Sequence, residues 1–355
     1  MKIVLSGTAG PRGWPEPGCP CASCLALPPG HRRPAEVLVD GRPLAPGSHV
    51  VQGLRVLYEP EAGSLGAADL GAAGSLGAAD LGAADSVGAA DLGAVGSAGV
   101  AGSAGGASGG PYDVVLLDLL GRPERLGELR GAGLVAEGAQ VVAVGLDHRV
   151  RSEEELGRRL GLWGARAVPD GTVLEQSAPA RVPRPRRTLL LGGSRSGKSA
   201  EAELRLAGEP RVTYVATGPS GAGDGEWAAR VRAHRERRPA HWETVETTDL
   251  AATIAAATAP LLVDGLGTWV AAVFDEHGAW EGPREPVLRR CEELVEAWRR
   301  TPVPIVAVSD EVGLGVVPDT ASGRAFRDVL GRLNERLAAE SEYVALVVAG
   351  RLLPL

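Results

Sequence analysis

The octapeptide GGSRSGKS, Gly192–Ser199, decides the fold class. It fits the spacing G-x-x-x-x-G-K-[ST] and lies between the apolar run RTLLLGG and the helical pattern GKSAEAELRLAG, the strand–loop–helix context that makes the motif credible. Glycines let backbone N–H groups turn inward around an oxyanion, and the N-terminus of the following helix adds positive potential. An ordinary glycine-rich βα turn is the competing reading, and the flanking elements disfavour it. The only lysines are Lys2 and Lys198, while arginine is abundant. Lys198 is therefore telling, because arginine's planar fork does not replace a compact ammonium. In such a loop Lys198 bridges the β- and γ-phosphates and Ser199 ligates Mg²⁺.

Outward from this loop the pattern stays regular. RVTYVATG, PLLVDGL, PIVAVSDE and YVALVVAG read as strands, and EWAARVRAHRE, PVLRRCEELVEAWRR and SGRAFRDVLGRLNERLAAE as helices. Alternation with continuous apolar strands predicts a doubly wound, mostly parallel sheet with ligands at its carboxyl edge. PLLVDGL ends in Asp264, which either sits near Mg²⁺ or caps the next helix. With no lysine after Lys198, the Asn-Lys-x-Asp base-reading motif of regulatory GTPases is excluded.

VRAHRERRPAHW, Val231–Trp242, embeds His234 among arginines. Arg230 and His234, four apart, share a helix face, with Arg237 or Arg238 a turn further on. Positive potential favours neutral, nucleophilic imidazole. Attack on the α-phosphorus of a nucleotide would give a phosphoramidate and release pyrophosphate, the arginines stabilising phosphoryl charge. A solvated basic helix with an idle histidine is the other reading.

The length of 355 residues favours two domains. A formal charge of −7 argues against a general nucleic-acid binder. No apolar run approaches the roughly 20 residues that span a bilayer, and the opening MKIVLSGTAGPRGWP turns to glycine and proline too early for a signal peptide. The expectation is a cytoplasmic protein. Three of the four cysteines crowd into CPCASC (Cys19, Cys21, Cys24) and read as metal ligands, while Cys291, on an amphipathic helix, reads as core. Residues 1–60 hold β-like runs at Lys2–Ser6, Glu36–Val39 and His49–Tyr58. An eleven-residue repeat beginning SLGAADLGAAG fills 61–110; its glycines and small apolar side chains cannot offset ordering entropy, so it is expected to be a low-complexity insert. Tyr112–Leu120 and Gln140–Leu146 read as strands, ERLGELRGAGL as a helix, and SEEELGRRLGLWG as a helix capped by Ser152 with Glu155 in the capping-box position. PARVPRPRR places a linker at 179–187, which leaves 188–355 as the phosphate-loop domain.

That domain resembles the bifunctional adenosylcobinamide kinase/adenosylcobinamide-phosphate guanylyltransferase family of cobalamin biosynthesis. The likeness rests on GGSRSGKS, YVATG (Tyr214–Gly218), ARVRAHRERRPAHWETVE (Ala229–Glu246), SDEVGLGVVP (Ser309–Pro318) and RAFRDVLGRLNERLA (Arg324–Ala338). It implies that His234 becomes guanylylated and that Lys198 serves phosphoryl transfer. It further implies that Gly192, Gly193, Ser194, Arg195, Ser196, Gly197, Lys198, Ser199, Ala216, Thr217, Gly218, Arg235, Glu236, Arg237, Arg238, Glu246 and Asp264 contact nucleotide, with Ser199 and Asp264 on Mg²⁺. ATP and GTP, adenosylcobinamide and a homo-oligomer follow from the same resemblance. Two departures stand out: Asp310 where asparagine is common, and Gly265-Leu266-Gly267 in place of Cys-Leu-Ser/Thr.

SGTAGPRGWPEPGCPCASC and the region Tyr112–Thr172 resemble the opening and closing parts of metallo-β-lactamase-fold phosphodiesterases. The H-x-H-x-D-H metal motif between them is missing, and Gly145 occupies a catalytic-metal histidine position. The resemblance implies a truncated, catalytically dead α/β region over 1–60 and 111–178, holding a structural Zn²⁺ through Cys19, Cys21, Cys24 and His148. The alternatives are a kinase lacking guanylyl transfer, a phosphate-loop NTPase with another acceptor, and a zinc-stabilised scaffold.

Overall fold

The structure, a computed structural model, describes residues 2–61, 110–174, 184–218, 232 and 238–355. The repeat insert, most of the linker and the helix expected over EWAARVRAHRE lie outside the described residues.

The N-terminal half runs β1 (Ile3–Gly7), α1 (Ala22–Leu25), β2 (Glu36–Val39), β3 (Arg42–Pro43), β4 (Gly47–Val51), β5 (Leu54–Glu59), β6 (Tyr112–Leu117), α2 (Glu124–Gly131), β7 (Val135–Ala143), α3 (Glu153–Leu162) and β8 (Thr172–Leu174). Two four-stranded sheets form, in the orders β3-β2-β1-β8 and β4-β5-β6-β7. Ile3, Leu5 and Val37 of the first interleave with Val56, Val114, Leu116 and Val142 of the second. The opposite face of the second sheet presents Leu57, Val115 and Val141 to Leu126, Leu129, Leu156, Leu160 and Trp163 of the helical layer. Strand alternation thus sends one set of side chains to each side. The expected single run His49–Tyr58 is instead a hairpin, β4 against β5. Gln52 and Gly53 both take left-handed backbone (φ +49° and +86°), the two-residue turn that folds a strand back on itself.

The C-terminal half continues with β9 (Arg187–Gly192), α4 (Lys198–Leu206), β10 (Thr213–Ala216), β11 (Glu243–Glu246), α5 (Leu250–Ala255), β12 (Leu261–Asp264), α6 (Leu266–Glu276), α7 (Glu285–Arg299), β13 (Ile305–Asp310), α8 (Ala321–Ala339), β14 (Tyr343–Val348) and β15 (Arg351–Pro354). β9 starts at Arg187, the first residue of the expected strand RTLLLGG. One seven-stranded sheet results, in the order β11-β10-β12-β13-β9-β14-β15, parallel except for the edge strand β15. Helices cover both faces. Ala202 and Leu206 of α4 pack on one side with Leu190, Tyr214 and Leu262. Leu250, Trp269, Phe274, Leu294, Trp298 and Leu333 pack on the other. Trp269 and Phe274 are sealed from solvent, each contributing roughly 1.5–3 kcal/mol of burial. Cys291 joins this core, as expected. Among the described residues no helix is long and apolar enough to cross a membrane.

Candidate functional site

The parallel register lines the expected residues along the sheet's carboxyl edge. Glu246, Ala216, Asp264 and Val308 are successive Cα partners across β11, β10, β12 and β13. Asp310 stands opposite Gly192, where the phosphate loop leaves β9.

The loop needs its unusual backbone. Arg195 has φ +58°, and Gly197, the residue before α4, has φ +98°. A Cβ on Gly192 would lie 2.6 Å from both Ser196 Oγ and the Val347 carbonyl, so only glycine fits. The Gly350 N–H donates to the Ser196 carbonyl at 2.7 Å and the Glu311 N–H to the Gly192 carbonyl at 3.2 Å, fixing the loop from two sides. Gly193, Ser194 and Arg195 are exposed at the rim, whereas Ser196 is buried. Its hydroxyl has no hydrogen-bond partner among the described residues, an orphan that a phosphate oxygen would satisfy.

Lys198 is buried, and its ammonium donates to the Gly193 carbonyl at 3.1 Å and meets Asp310 Oδ1 at 2.9 Å. Ser199 Oγ donates to Asp264 Oδ1 at 3.0 Å, and the Tyr214 hydroxyl donates to Asp264 Oδ2 at 2.5 Å. Burial, reinforced by the Asp264 charge, pushes the Tyr214 phenol well above its ordinary range, so it stays a donor. Asp264 does not cap α6; Gly265 holds that position with φ +105°. A hydroxyl and a carboxylate in contact beside a buried lysine suit a hard, oxygen-seeking cation such as Mg²⁺. Thr217, also buried, donates to the Gly265 carbonyl at 2.7 Å and ties β10 to the start of α6. Ala216 and Gly218 flank it at the strand end, and Glu246 is exposed at the outer strand. The Arg238 guanidinium lies over the Tyr214 ring, 3.2 Å from its centroid. His234, Arg235, Glu236 and Arg237 lie outside the described residues.

Sequence reasoning missed the Lys198–Asp310 contact and the Tyr214–Asp264 bond. The first needed the β13–β9 register. The second had a signal in Tyr214, two residues before Ala216, which is the Cα partner of Asp264, and hence on the same face of the sheet.

In the N-terminal half, one ligand atom from each of Cys19, Cys21, Cys24 and His148 falls within 4.8 Å of all the others. Cys21 leads into α1, its sulfur accepting the Cys24 N–H at 3.4 Å. That backbone donor lowers the Cys21 thiol, while burial pushes Cys24 up to about 12. Three sulfurs and one imidazole at this spacing match the donor set of a closed tetrahedral zinc site. Nearby, a Cβ on Gly145 would lie 2.7 Å from the Pro60 carbonyl, leaving no room for a side chain. Arg149 bridges Asp147 (2.8 Å) and Asp118 (3.1 Å), placing a guanidinium between two carboxylates.

A parallel doubly wound sheet, a phosphate loop with a buried lysine, and a hydrogen-bonded pair of Ser199 at the start of α4 and Asp264 at the end of β12 define the C-terminal half as a P-loop nucleotide-binding domain. Its residues 188–355 match the family model described as cobinamide kinase / cobinamide phosphate guanyltransferase. The bifunctional adenosylcobalamin biosynthesis protein of Salmonella typhimurium is 39% identical over 174 residues, 46% of this chain and 95% of the relative. The Escherichia coli counterpart is 38% identical over 174 residues, with the same shares. The Pseudomonas aeruginosa counterpart is 44% identical over 177 residues, 48% of this chain and 96% of the relative. The chain belongs to this bifunctional cobinamide kinase/guanylyltransferase family of cobalamin biosynthesis.

Proposed function

We propose that the chain phosphorylates adenosylcobinamide with ATP or GTP and then transfers GMP from GTP, through a guanylylated His234, to give adenosylcobinamide-GDP. The observation that carries this reading is the convergence of Lys198, Ser199 and Asp264 at the carboxyl edge of β9 and β12. In the first reaction the aminopropanol hydroxyl attacks the γ-phosphorus and loses its proton, the bond from that phosphorus to the bridging oxygen breaks and the nucleoside diphosphate leaves, while Lys198 and the loop N–H groups hold the phosphate oxygens. Mg²⁺, held by Ser199 and Asp264, would neutralise charge on the phosphates. In the second, an imidazole nitrogen of His234 attacks the α-phosphorus of GTP, the bond to the β-phosphate breaks and pyrophosphate leaves. The phosphate of the first product then displaces the histidine, cleaving the P–N bond. Arg235, Arg237 and Arg238 would bind the phosphates, with Ala216–Gly218 and Glu246 completing the nucleotide contacts. We place this chemistry in residues 188–355, in a cytoplasmic homo-oligomer.

Residues 1–60 and 111–178 are read as a catalytically silent, metallo-β-lactamase-like unit interrupted by the 61–110 insert. Two stacked sheets with one helical layer, and the Arg149 bridge between Asp118 and Asp147, support that reading. Cys19, Cys21, Cys24 and His148 would hold one structural zinc.

The decisive experiment incubates the protein with α-labelled GTP and Mg²⁺. An acid-labile, base-stable protein adduct is expected, absent from His234→Ala. No adduct on the unaltered protein, or full labelling of the variant, excludes the guanylyl-histidine route.

A further inference from the structure

The N-terminal half touches the C-terminal half at the element that carries the phosphate loop. Arg158 of α3 donates to Glu201 Oε1 on α4 at 2.9 Å, two residues after Ser199; Arg205 shares that oxygen at 3.1 Å. The Trp163 indole N–H donates to the Leu204 carbonyl at 2.7 Å, and the Leu204 side chain packs into the N-terminal core. Arg130 of α2 donates to the Gly208 carbonyl and, with its other amine, to the Trp163 carbonyl, both at 2.8 Å. The backbones come close: a Cβ on Gly208 would lie 3.0 Å from Trp163, and one on Gly127 would lie 2.5 Å from the Glu209 carbonyl. A further contact reaches the loop from the side. Arg151 donates to the Gly350 carbonyl at 3.3 Å, and the Gly350 N–H donates to the Ser196 carbonyl inside the loop.

We propose that the N-terminal half braces the phosphate-loop helix, with Arg151, Arg158 and Trp163 as positioning residues for nucleotide binding. This rests on the nucleotide reading of Gly192–Ser199. The helix is only nine residues long, and its first turn points the loop's N–H groups at the phosphates. Those N–H groups hold phosphate oxygens only at hydrogen-bond distance and alignment, so a shift or rotation of the helix weakens nucleotide binding. Arg158 and Trp163 hold the same helix at two points one turn apart, Glu201 and Leu204, which fixes its axial position and its rotation together. The family relatives are matched over 95% or more of their own length by fewer than half of this chain's residues. The brace is thus an addition to a domain that works without it elsewhere, and its expected effect is on affinity rather than on folding of the nucleotide domain. Coupling is reciprocal: nucleotide that prefers the braced helix also strengthens docking of the N-terminal half.

The test uses the full chain and charge reversal across the interface. Arg158→Glu and Glu201→Arg should each raise the nucleotide KM roughly threefold to tenfold with kcat within about twofold. The double variant, with the pair reversed, should recover most of the loss. Arg151→Ala, at a partly exposed site that leaves both cores intact, should raise KM about two- to threefold. Unchanged KM in the single variants, or no recovery in the double, overturns the brace. GTP titration of the unaltered chain separates the two layers: no binding there overturns the nucleotide reading and the brace with it, whereas binding that the variants leave untouched overturns the brace alone.

Discussion

The Lys198 ammonium and the Asp310 carboxylate stand 2.9 Å apart, and the second Asp310 oxygen occupies the space that a Cβ on Gly267 would enter, 2.5 Å away. The two departures from the family pattern thus meet at one point in the fold, where Gly267 leaves room for the Asp310 side chain.

This pairing has a consequence for affinity. Incoming phosphates must draw Lys198 away from Asp310 or accept a carboxylate beside them, and both oppose binding. Asp310 is partly exposed, so screening moderates the effect. Asp310→Asn, which keeps shape and removes charge, is expected to lower the nucleotide KM by about threefold to tenfold. Steady-state kinetics at fixed ionic strength measures this. A higher KM would mean instead that Asp310 holds the lysine ready for phosphate.

The same contact predicts a packing penalty. Gly267→Ser forces a new atom against the carboxylate, and overpacking of this kind costs about 1–3 kcal/mol. Thermal unfolding should show the loss. In an Asp310→Asn background the penalty should be smaller, because no ion pair remains to be broken; strictly additive effects of the two substitutions would contradict the coupling.

A third expectation concerns pH. Glu342, at the start of β14, accepts from the Arg187 backbone N–H at 2.6 Å and from its guanidinium at 2.7 Å. The guanidinium hydrogen bond holds the Glu342 carboxyl below its ordinary value of 4.5. A carboxyl lowered on folding adds stability above its unfolded value, and that stability is lost as pH falls through the folded value. Because the pair is substantially exposed, the contribution should be under about 1 kcal/mol. Glu342→Gln should be slightly less stable at pH 7 and indistinguishable at strongly acidic pH. A difference that grows toward acid would contradict the assignment.

The sheet's central strands and the phosphate loop were legible because long apolar runs and a fixed glycine spacing are local signals. Glu36–Val39 formed a strand with the expected ends, and Ser152 caps α3 as expected, accepting the Glu155 N–H at 3.2 Å. Glu155 reaches back to the Arg151 N–H rather than to that of Ser152, a detail no spacing rule carries. The edge strands β11 and β15 were not legible: one is short and mostly exposed, the other comprises four residues that bury little. Asp310 beside Lys198 was hidden for a different reason. Contacts across parallel strands depend on register, and one sequence does not state which residues of β9 and β13 lie level. His148 joins the cysteines across the whole N-terminal half, so resemblance was the only guide to it.

That cluster yields the last expectation. Burial keeps Cys24 protonated at neutral pH, with its thiol pushed up to about 12, so three neighbouring thiolates are costly without a cation. A divalent ion reverses this by stabilising thiolate, and its uptake displaces protons. Purified protein should carry about one zinc per chain, and affinity should fall as pH falls. Cys21→Ser should lose most of the metal, whereas Cys291→Ser, buried in the other half, should keep it. Chelation should also lower the unfolding temperature of the N-terminal half. The Cys21 cap starts α1, and within α1 Ser23 donates to the Val150 carbonyl at 2.6 Å, just ahead of α3. Metal loss would loosen that anchor and the segment His148–Ser152 together. Unchanged zinc in Cys21→Ser would show that the four groups do not act as one site.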